Sequence, residues 1–288
     1  MRNQFISSLI ERQNSHGDVF LLVGDLGFSL VEPFANRFPD RYLNIGIAEQ
    51  NMISISAGIA SQGFKVFNYS IGNFNTFRSA EQLRNDVDYH QLDVTTVSVG
   101  GGCAYGYLGY SHHALQDYAL MRSLPNMNIY APSDAQTCQF CMESIFNTDA
   151  PNYLRLHKAN ELPFGSSLSS INTNFSSLHL NNSDCLHLAT GFIGNHLFRS
   201  NAIQPNEDFI LMHLWGNKHR NKCIDMISRY EIVHVYEDHL LSGGFASWIL
   251  ETLAQYNCYN TKVIIHSYDD ELVGSSLSED YALSNHTT

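Results

Sequence analysis

The sequence predicts an α/β protein of two three-layer α/β/α domains: the first on a mostly parallel sheet, the second a smaller α/β domain. Three observations lead there. Continuous apolar runs such as Val19–Val23 have the composition of strands buried on both faces, as in parallel sheets. These runs alternate with segments of helical period, and that alternation implies helices on both faces of a sheet. The 288 residues, at roughly 150 per domain, suffice for two cores.

The elements follow in order. Val19–Val23 is a strand. Residues 49–62 read as a helix stopped by Gly63. Residues 65–69 form a short strand, 76–88 a helix polar on one face, and 93–99 a strand rich in β-branched residues. Asn128–Tyr130 (strand), Ala135–Phe146 (helix) and Asn152–Leu156 (strand) complete a first domain over residues 1–164. Residues 165–183 are rich in Ser and Asn, including Asn172, Asn174, Asn181 and Asn182, and read as a linker. The second domain, 184–288, carries candidate strands at Cys185–Ala189, 209–214, 231–236 and 262–266.

Composition excludes several classes. Hydrophobic residues make up 44% and charged residues 15%, unlike a disordered chain. No apolar stretch approaches the roughly 18 residues of a membrane span. The start, Met1-Arg2-Asn3-Gln4-Phe5, soon meets Ser7, Ser8 and Glu11, so no secretory signal is expected and the location expected is cytoplasmic. The net charge of −12, without clustered Lys and Arg, argues against a nucleic-acid surface. Six dispersed cysteines read as reduced thiols. Cys138-Gln-Phe-Cys141 falls within a helix and has no second pair, so it reads as core rather than metal or redox chemistry.

Open parallel sheets place their chemistry at the carboxyl ends of strands. After Val19–Val23 comes Gly24-Asp25-Leu-Gly-Phe-Ser29. After 93–99 comes Gly100-Gly-Gly102, then Tyr105-Gly-Tyr-Leu108-Gly-Tyr-Ser111-His112-His113, a loop unusually rich in Gly, Tyr and His. Glu49 begins an otherwise apolar helix. It reads either as charge complementing the helix dipole or as a buried functional acid whose protonation desolvation would tune.

Asp25-Leu-Gly, Asn44-Ile-Gly-Ile-Ala-Glu49-Gln-Asn-Met, Phe74 with Arg78 and Glu81-Gln82, Ser111-His112-His113 and Met121-Arg122-Ser-Leu-Pro-Asn-Met127 recur in this order and spacing in transketolases. The chain resembles the C-terminal subunit of a split transketolase: a pyrimidine-binding domain followed by the transketolase C-terminal-like domain. The likeness is specific over residues 1–163. Beyond them it rests on Ala189-Thr-Gly191, on Val235-Tyr-Glu237-Asp-His239 and on Gly243-Gly244.

The resemblance implies thiamine diphosphate chemistry and assigns roles. Glu49 falls where the family's catalytic carboxyl bonds the pyrimidine N1′ and drives the cofactor's imino tautomer, a general acid–base role. Phe74 matches the aromatic that stacks on that ring, with Ile71 in place of a companion aromatic and Phe77 nearby in the cofactor pocket. His112 matches a catalytic histidine that bonds the substrate carbonyl, and His113 stands where many relatives have Gln. Asp25 and Ser29 match the mouth of the substrate channel. Lys158 replaces an Arg that holds the sugar phosphate, keeping charge but losing the bidentate fork.

Two departures remodel the substrate surface: Leu108 stands where the family has an acid contacting a sugar hydroxyl, and Gly100 where it has a phosphate-binding His. The Tyr-Gly-x-Leu-Gly-x-Ser-His-His variant is similar to subunits associated with bacterial polysaccharide and unusual-sugar pathways. The family's GDG motif with its following Asn, which holds Mg²⁺ and the diphosphate, is missing, so no metal ligands are assigned to this chain. The resemblance therefore implies an N-terminal partner subunit carrying that motif, a cofactor shared across the interface, an α2β2 heterotetramer and a small sugar substrate, with no nucleic acid or membrane. A β subunit of a 2-oxo acid dehydrogenase or decarboxylase, and a non-catalytic assembly subunit, remain alternatives.

Overall fold

The computed structural model describes residues 1–158 and 161–284. Its strands are β1 Val19–Val23, β2 Tyr42–Asn44, β3 Lys65–Ile71, β4 Val94–Val99, β5 Asn128–Tyr130, β6 Asn152–Leu156, β7 Ser170–Ile171, β8 Phe175–His179, β9 Cys185–Ala189, β10 Asp208–Met212, β11 Leu214–Trp215, β12 Ile232–Leu240 and β13 Lys262–Tyr268. They form two sheets. The first has order β11-β5-β6-β4-β3-β1-β2 and is parallel except at the β11–β5 edge. The second has order β13-β12-β9-β10-β8-β7, parallel from β13 to β10 and antiparallel at β8 and β7. This is the expected α/β architecture with mostly parallel sheets.

The first sheet is buried on both faces, and alternation along each strand sorts side chains between them. Leu21, Val23, Phe67 and Tyr69 face Phe5 and Leu9 of the helix Arg2–His16 and Met142 of the helix Ala135–Phe146. Leu22, Val66 and Val94 face Met52 and Ile53 of the helix Glu49–Ala60. Cys138 and Cys141 pack in the core, and burial pushes the Cys138 thiol up to about 12.

Three local readings differ from the structure. Residues 165–183 supply β7 and β8 rather than only a linker: Ser176, Ser177 and Leu178 are buried within the Ser- and Asn-rich stretch. The 76–88 helix starts earlier and is broken, as Gly72–Phe77, Ala80–Gln82 and a π-helical turn Leu83–Asp88. Thr76 and Ser79 hydroxyls donate to the carbonyls of Gly72 and Asn75, a back-bonding that loosens a helix. Finally, β11 follows β10 closely in sequence but joins the first sheet, so both hydrophobic clusters run through both halves of the chain. No helix among the described residues is long and apolar enough to cross a membrane.

Candidate active site

The carboxyl ends of β1, β2, β3, β4 and β6 converge on one edge of the first sheet, and the segments that leave them carry the polar groups. The helix Glu49–Ala60 begins there, and its first residue is turned inward: Glu49 is 3% exposed. Ser70, near the end of β3, donates its hydroxyl to Glu49 Oε1 at 3.2 Å. Arg78 Nη1 donates to Oε2 at 3.1 Å. A Cβ on Gly24 would lie 3.6 Å from Oε1, so the chain after β1 passes directly over the carboxyl group. A carboxylate has about four lone-pair directions, so two bonds leave it able to serve a further partner. In front of it opens a cleft of about 460 Å³ lined by Ile47, Ala48, Glu49, Gln50, Asn51 and Arg78.

Phe74 and Arg78 are four residues apart across the helix end, on neighbouring faces. The guanidinium lies 3.8 Å from the Phe74 ring centroid, so Arg78 ties the aromatic to the buried acid. The edge of His112 meets the same ring at 5.1 Å between centroids. Ser111 Oγ lies 2.9 Å from His112 Nδ1, and Asn73 Nδ2 donates to the Ser111 carbonyl at 2.9 Å, which together fix the loop and the imidazole. With Nδ1 accepting from Ser111, Nε2–H is free to donate. Burial, helped by the neighbouring His113 and Arg78, lowers the His112 pKa and favours this neutral ring.

The rest of the long loop supports His112 from behind. The Tyr105 ring centroid lies 5.8 Å from that of His112, and Lys158 Nζ lies 4.7 Å from the Tyr105 centroid. Phe74, His112, Tyr105 and Lys158 thus form one continuous rim. His113 does not join it. It is 1% exposed, donating Nε2–H to the Gly106 carbonyl at 2.7 Å, with Cys103 Sγ 4.0 Å from Nδ1. Its place is inside the loop, holding the turn that presents His112.

The other expected positions lie on the segments that leave β1, β3 and β4. Asp25 and Asn44 bond reciprocally, Asn44 Nδ2 donating to Asp25 Oδ1 at 3.0 Å and the Asp25 amide to Asn44 Oδ1 at 3.1 Å. Ser29 is exposed, and its amide donates to Glu32. Both Asp25 and Ser29 adopt positive φ, +55° and +64°, so the segment after β1 is held in an uncommon backbone conformation. Ile71 is half-buried at the end of β3, whereas Phe77 is 48% exposed. Leu108 is exposed on the loop.

Two residues of the site, Ser70 and Tyr105, escape sequence reasoning. Ser70 is one more buried strand residue by pattern, and nothing local tells that it meets Glu49. For Tyr105 the available signal is Gly100, whose missing side chain leaves room for something else: a Cβ there would collide with the Tyr105 ring. Gly101 likewise makes room for the Arg155 guanidinium. Arg155 is 3% exposed and binds Asp117 beside it and Asp238 of β12, joining the two sheets under the site.

Residues 3–162 match the transketolase pyrimidine-binding domain model. The chain is 36% identical over 159 residues to an apulose-4-phosphate transketolase subunit of Phocaeicola vulgatus, covering 55% of this chain and 51% of that one. It is 37% identical over 157 residues to a putative transketolase C-terminal section of Methanocaldococcus jannaschii, covering 54% and 50%. Those alignments span about half the length of these curated relatives. Among solved structures, a split gene transketolase, an inactive β4 tetramer, superposes with a TM-score of 0.80 at 25% identity, covering 99% of this chain and 95% of that one.

Proposed function

The chain belongs to the transketolase pyrimidine-binding domain family, and from that premise we propose that it is the cofactor-activating subunit of a split thiamine diphosphate-dependent transferase that moves a two-carbon ketol unit to an aldose or modified sugar. The observation that carries this is Glu49: a buried carboxyl group lining an open cleft and linked through Arg78 to the Phe74 ring. Such a pair fits an aminopyrimidine, with a carboxyl for a ring nitrogen and a ring for the π face. When bound, thiamine diphosphate supplies a carbon that, once deprotonated, attacks carbonyl groups.

This chain's residues have the following work. Glu49 shares a proton with the pyrimidine N1′, steadied by Ser70 and Arg78. Phe74 packs on the ring, with Ile71 beside it. His112 donates Nε2–H to the carbonyl oxygen of the sugar, and developing negative charge there strengthens that bond. Lys158, Asp25 and Ser29 meet the more distant parts of the substrate. The Mg²⁺ ligands and diphosphate contacts belong to an N-terminal partner carrying the GDG motif, in an α2β2 assembly in the cytoplasm. Ile47, 76% exposed in the cleft lining, and Phe28, 77% exposed on the segment after β1, supply apolar surface suited to being covered by that partner.

The similarity to a solved β4 assembly described as inactive supports a need for a second subunit. The test is co-expression with a GDG-bearing chain. The isolated chain should bind the cofactor weakly and show no turnover, and the pair should gain both. A donor panel of pyruvate against ketose phosphates separates this reading from a 2-oxo acid dehydrogenase. Robust ketol transfer by the isolated chain would overturn it.

A further inference from the structure

Far from the cleft, at the amino ends of β9 and β10, three metal-type donors converge. Cys185 and His187 alternate on one face of β9. Glu207 immediately precedes β10, whose Asp208 pairs with Leu186, which places Glu207 beside Cys185 on the neighbouring strand. His187 Nε2 lies 4.0 Å from Cys185 Sγ and 3.2 Å from Glu207 Oε2, and the three donor atoms all lie within 4.8 Å of one another.

These spacings are close to what one ion requires. Zinc bonds of about 2.3 Å to sulfur and 2.1 Å to nitrogen or oxygen, at tetrahedral angles, set sulfur and nitrogen about 3.6 Å apart and nitrogen and oxygen about 3.4 Å apart. Sulfur and oxygen, within 4.8 Å of each other, would approach to about 3.6 Å, so side-chain movements of up to about an ångström close the set. The second neighbour is also in place. Tyr236 Oη lies 2.9 Å from His187 Nδ1, so Nδ1–H can donate to it and leave the Nε2 lone pair facing the other two donors.

We propose that Cys185, His187 and Glu207 form a binding site for a zinc-class divalent transition-metal ion, with water as the fourth ligand. A thiolate, a carboxylate and a neutral imidazole balance a 2+ ion, and binding releases the Cys185 thiol proton to solvent. Sulfur and imidazole together select this class over Mg²⁺ or Ca²⁺, which prefer oxygen. The site has an entry path, because Cys185 is half-buried and the Glu207 side chain is 33% exposed. An ion here would clamp the start of β9 to the loop that enters β10. It is separate from the Mg²⁺ of the proposed reaction and stands whether or not that reading does.

The test titrates metal-free full-length chain with Co²⁺. One equivalent should produce a thiolate-to-cobalt charge-transfer band, and Zn²⁺ should displace it and raise Tm. Cys185→Ser should remove the band and the Zn²⁺-dependent Tm rise. Cys258→Ser, at another half-buried cysteine, should keep both. Glu207→Gln should weaken binding about tenfold or more, by analogy with the 10–100-fold losses seen even for residues behind the ligands. If Cys185→Ser does not fold, Glu207→Gln decides, since its side chain is partly exposed. Absence of the band in the native chain, its survival in a folded Cys185→Ser variant, or unchanged affinity in Glu207→Gln would overturn the site.

Discussion

Tyr105 occupies the space that any side chain on residue 100 would need: a Cβ built on Gly100 runs into the edge of the Tyr105 ring. Gly100 also holds φ at +82°, which disfavours other residues. Gly100 therefore makes room for an aromatic wall, which stands between His112 and Lys158.

That wall leads to the first prediction. Leu108 offers no acceptor for a sugar hydroxyl, and Gly100 no donor for a phosphate. Each unpaired polar group costs about 1–3 kcal/mol, and two such losses together lower turnover by roughly 10²-fold if they add. The assembled enzyme should use xylulose 5-phosphate with ribose 5-phosphate poorly. The comparison is kcat/KM for that pair against deoxy, amino and nucleotide-linked sugars. Pentose phosphates emerging as the best substrates would remove the argument.

Glu49→Gln keeps the shape of the side chain and its capacity to accept from Arg78 or Ser70, but it removes the shared proton. Deuterium exchange at C2 of thiamine diphosphate in the assembled complex should slow by about 10²–10⁴, the usual span of a general acid–base contribution. Far-UV circular dichroism should be unchanged. Exchange at the native rate would reduce Glu49 to a carboxylate at a helix start.

Parts of this molecule are legible in one dimension and others are not. β1, β5, β6, β9 and the helix Ala135–Phe146 lie where the sequence places them: β1 is a continuous apolar run, and the other elements carry enough apolar residues at strand or helix spacing to be read locally. β11 is two residues long and its partner lies more than eighty positions away, so no local pattern announces it. β8 looks like part of a linker because two of its three buried positions, Ser176 and Ser177, carry hydroxyl groups instead of hydrocarbon. At the site, Phe74 and His112 stand out through family resemblance, and the structure brings them together at 5.1 Å. Ser70 and Tyr105 carry no such signal: each gains its meaning from a neighbour distant in sequence. His113 is adjacent in sequence to a candidate catalytic group, yet it is buried inside the loop, a placement no local pattern announces.

Arg155 provides a stability prediction. It is buried between Asp117 and Asp238 and also donates to the Ala114 and Asp238 carbonyls. Arg155→Met leaves two buried carboxylates without their cation, a change that costs about 3–5 kcal/mol when one partner of a buried pair is removed. Urea denaturation of the isolated chain should show a loss of that size. A loss below about 1 kcal/mol would mean that water reaches the pair and that the two sheets are joined chiefly by packing around Trp215.

The last prediction concerns pH. Glu237 is fully buried and accepts the amides of Phe245 and Ala246 at the start of the helix Phe245–Gln255. Burial outweighs those bonds and pushes its carboxyl group up to about 8 from 4.5. A raised folded-state pKa means a stabilising contribution that is complete below about 4.5 and is lost as pH rises through 8. The imidazoles of buried His213 and His239 and of half-buried His219 act in the opposite sense. Burial lowers each from 6.5 to about 4, so their contribution is complete above 6.5 and is lost as pH falls towards 4. Between pH 6.5 and 8 the histidines are neutral in both folded and unfolded chains. Glu237 is opposed there by the Met1 amino group, whose pKa burial lowers from 8.0 and whose contribution grows as pH rises. The Glu237 contribution is therefore read as a difference: the stability of the native chain relative to Glu237→Gln should fall across that window by up to about 2 kcal/mol, at no more than about 1.4 kcal/mol per pH unit, seen as a drop of several degrees in the difference in Tm. Glu237→Gln retains a carbonyl oxygen for the helix amides and cannot ionise, so it should not share that fall. A parallel fall in the variant would place the pH sensitivity elsewhere and leave Glu237 as an ordinary buried acceptor.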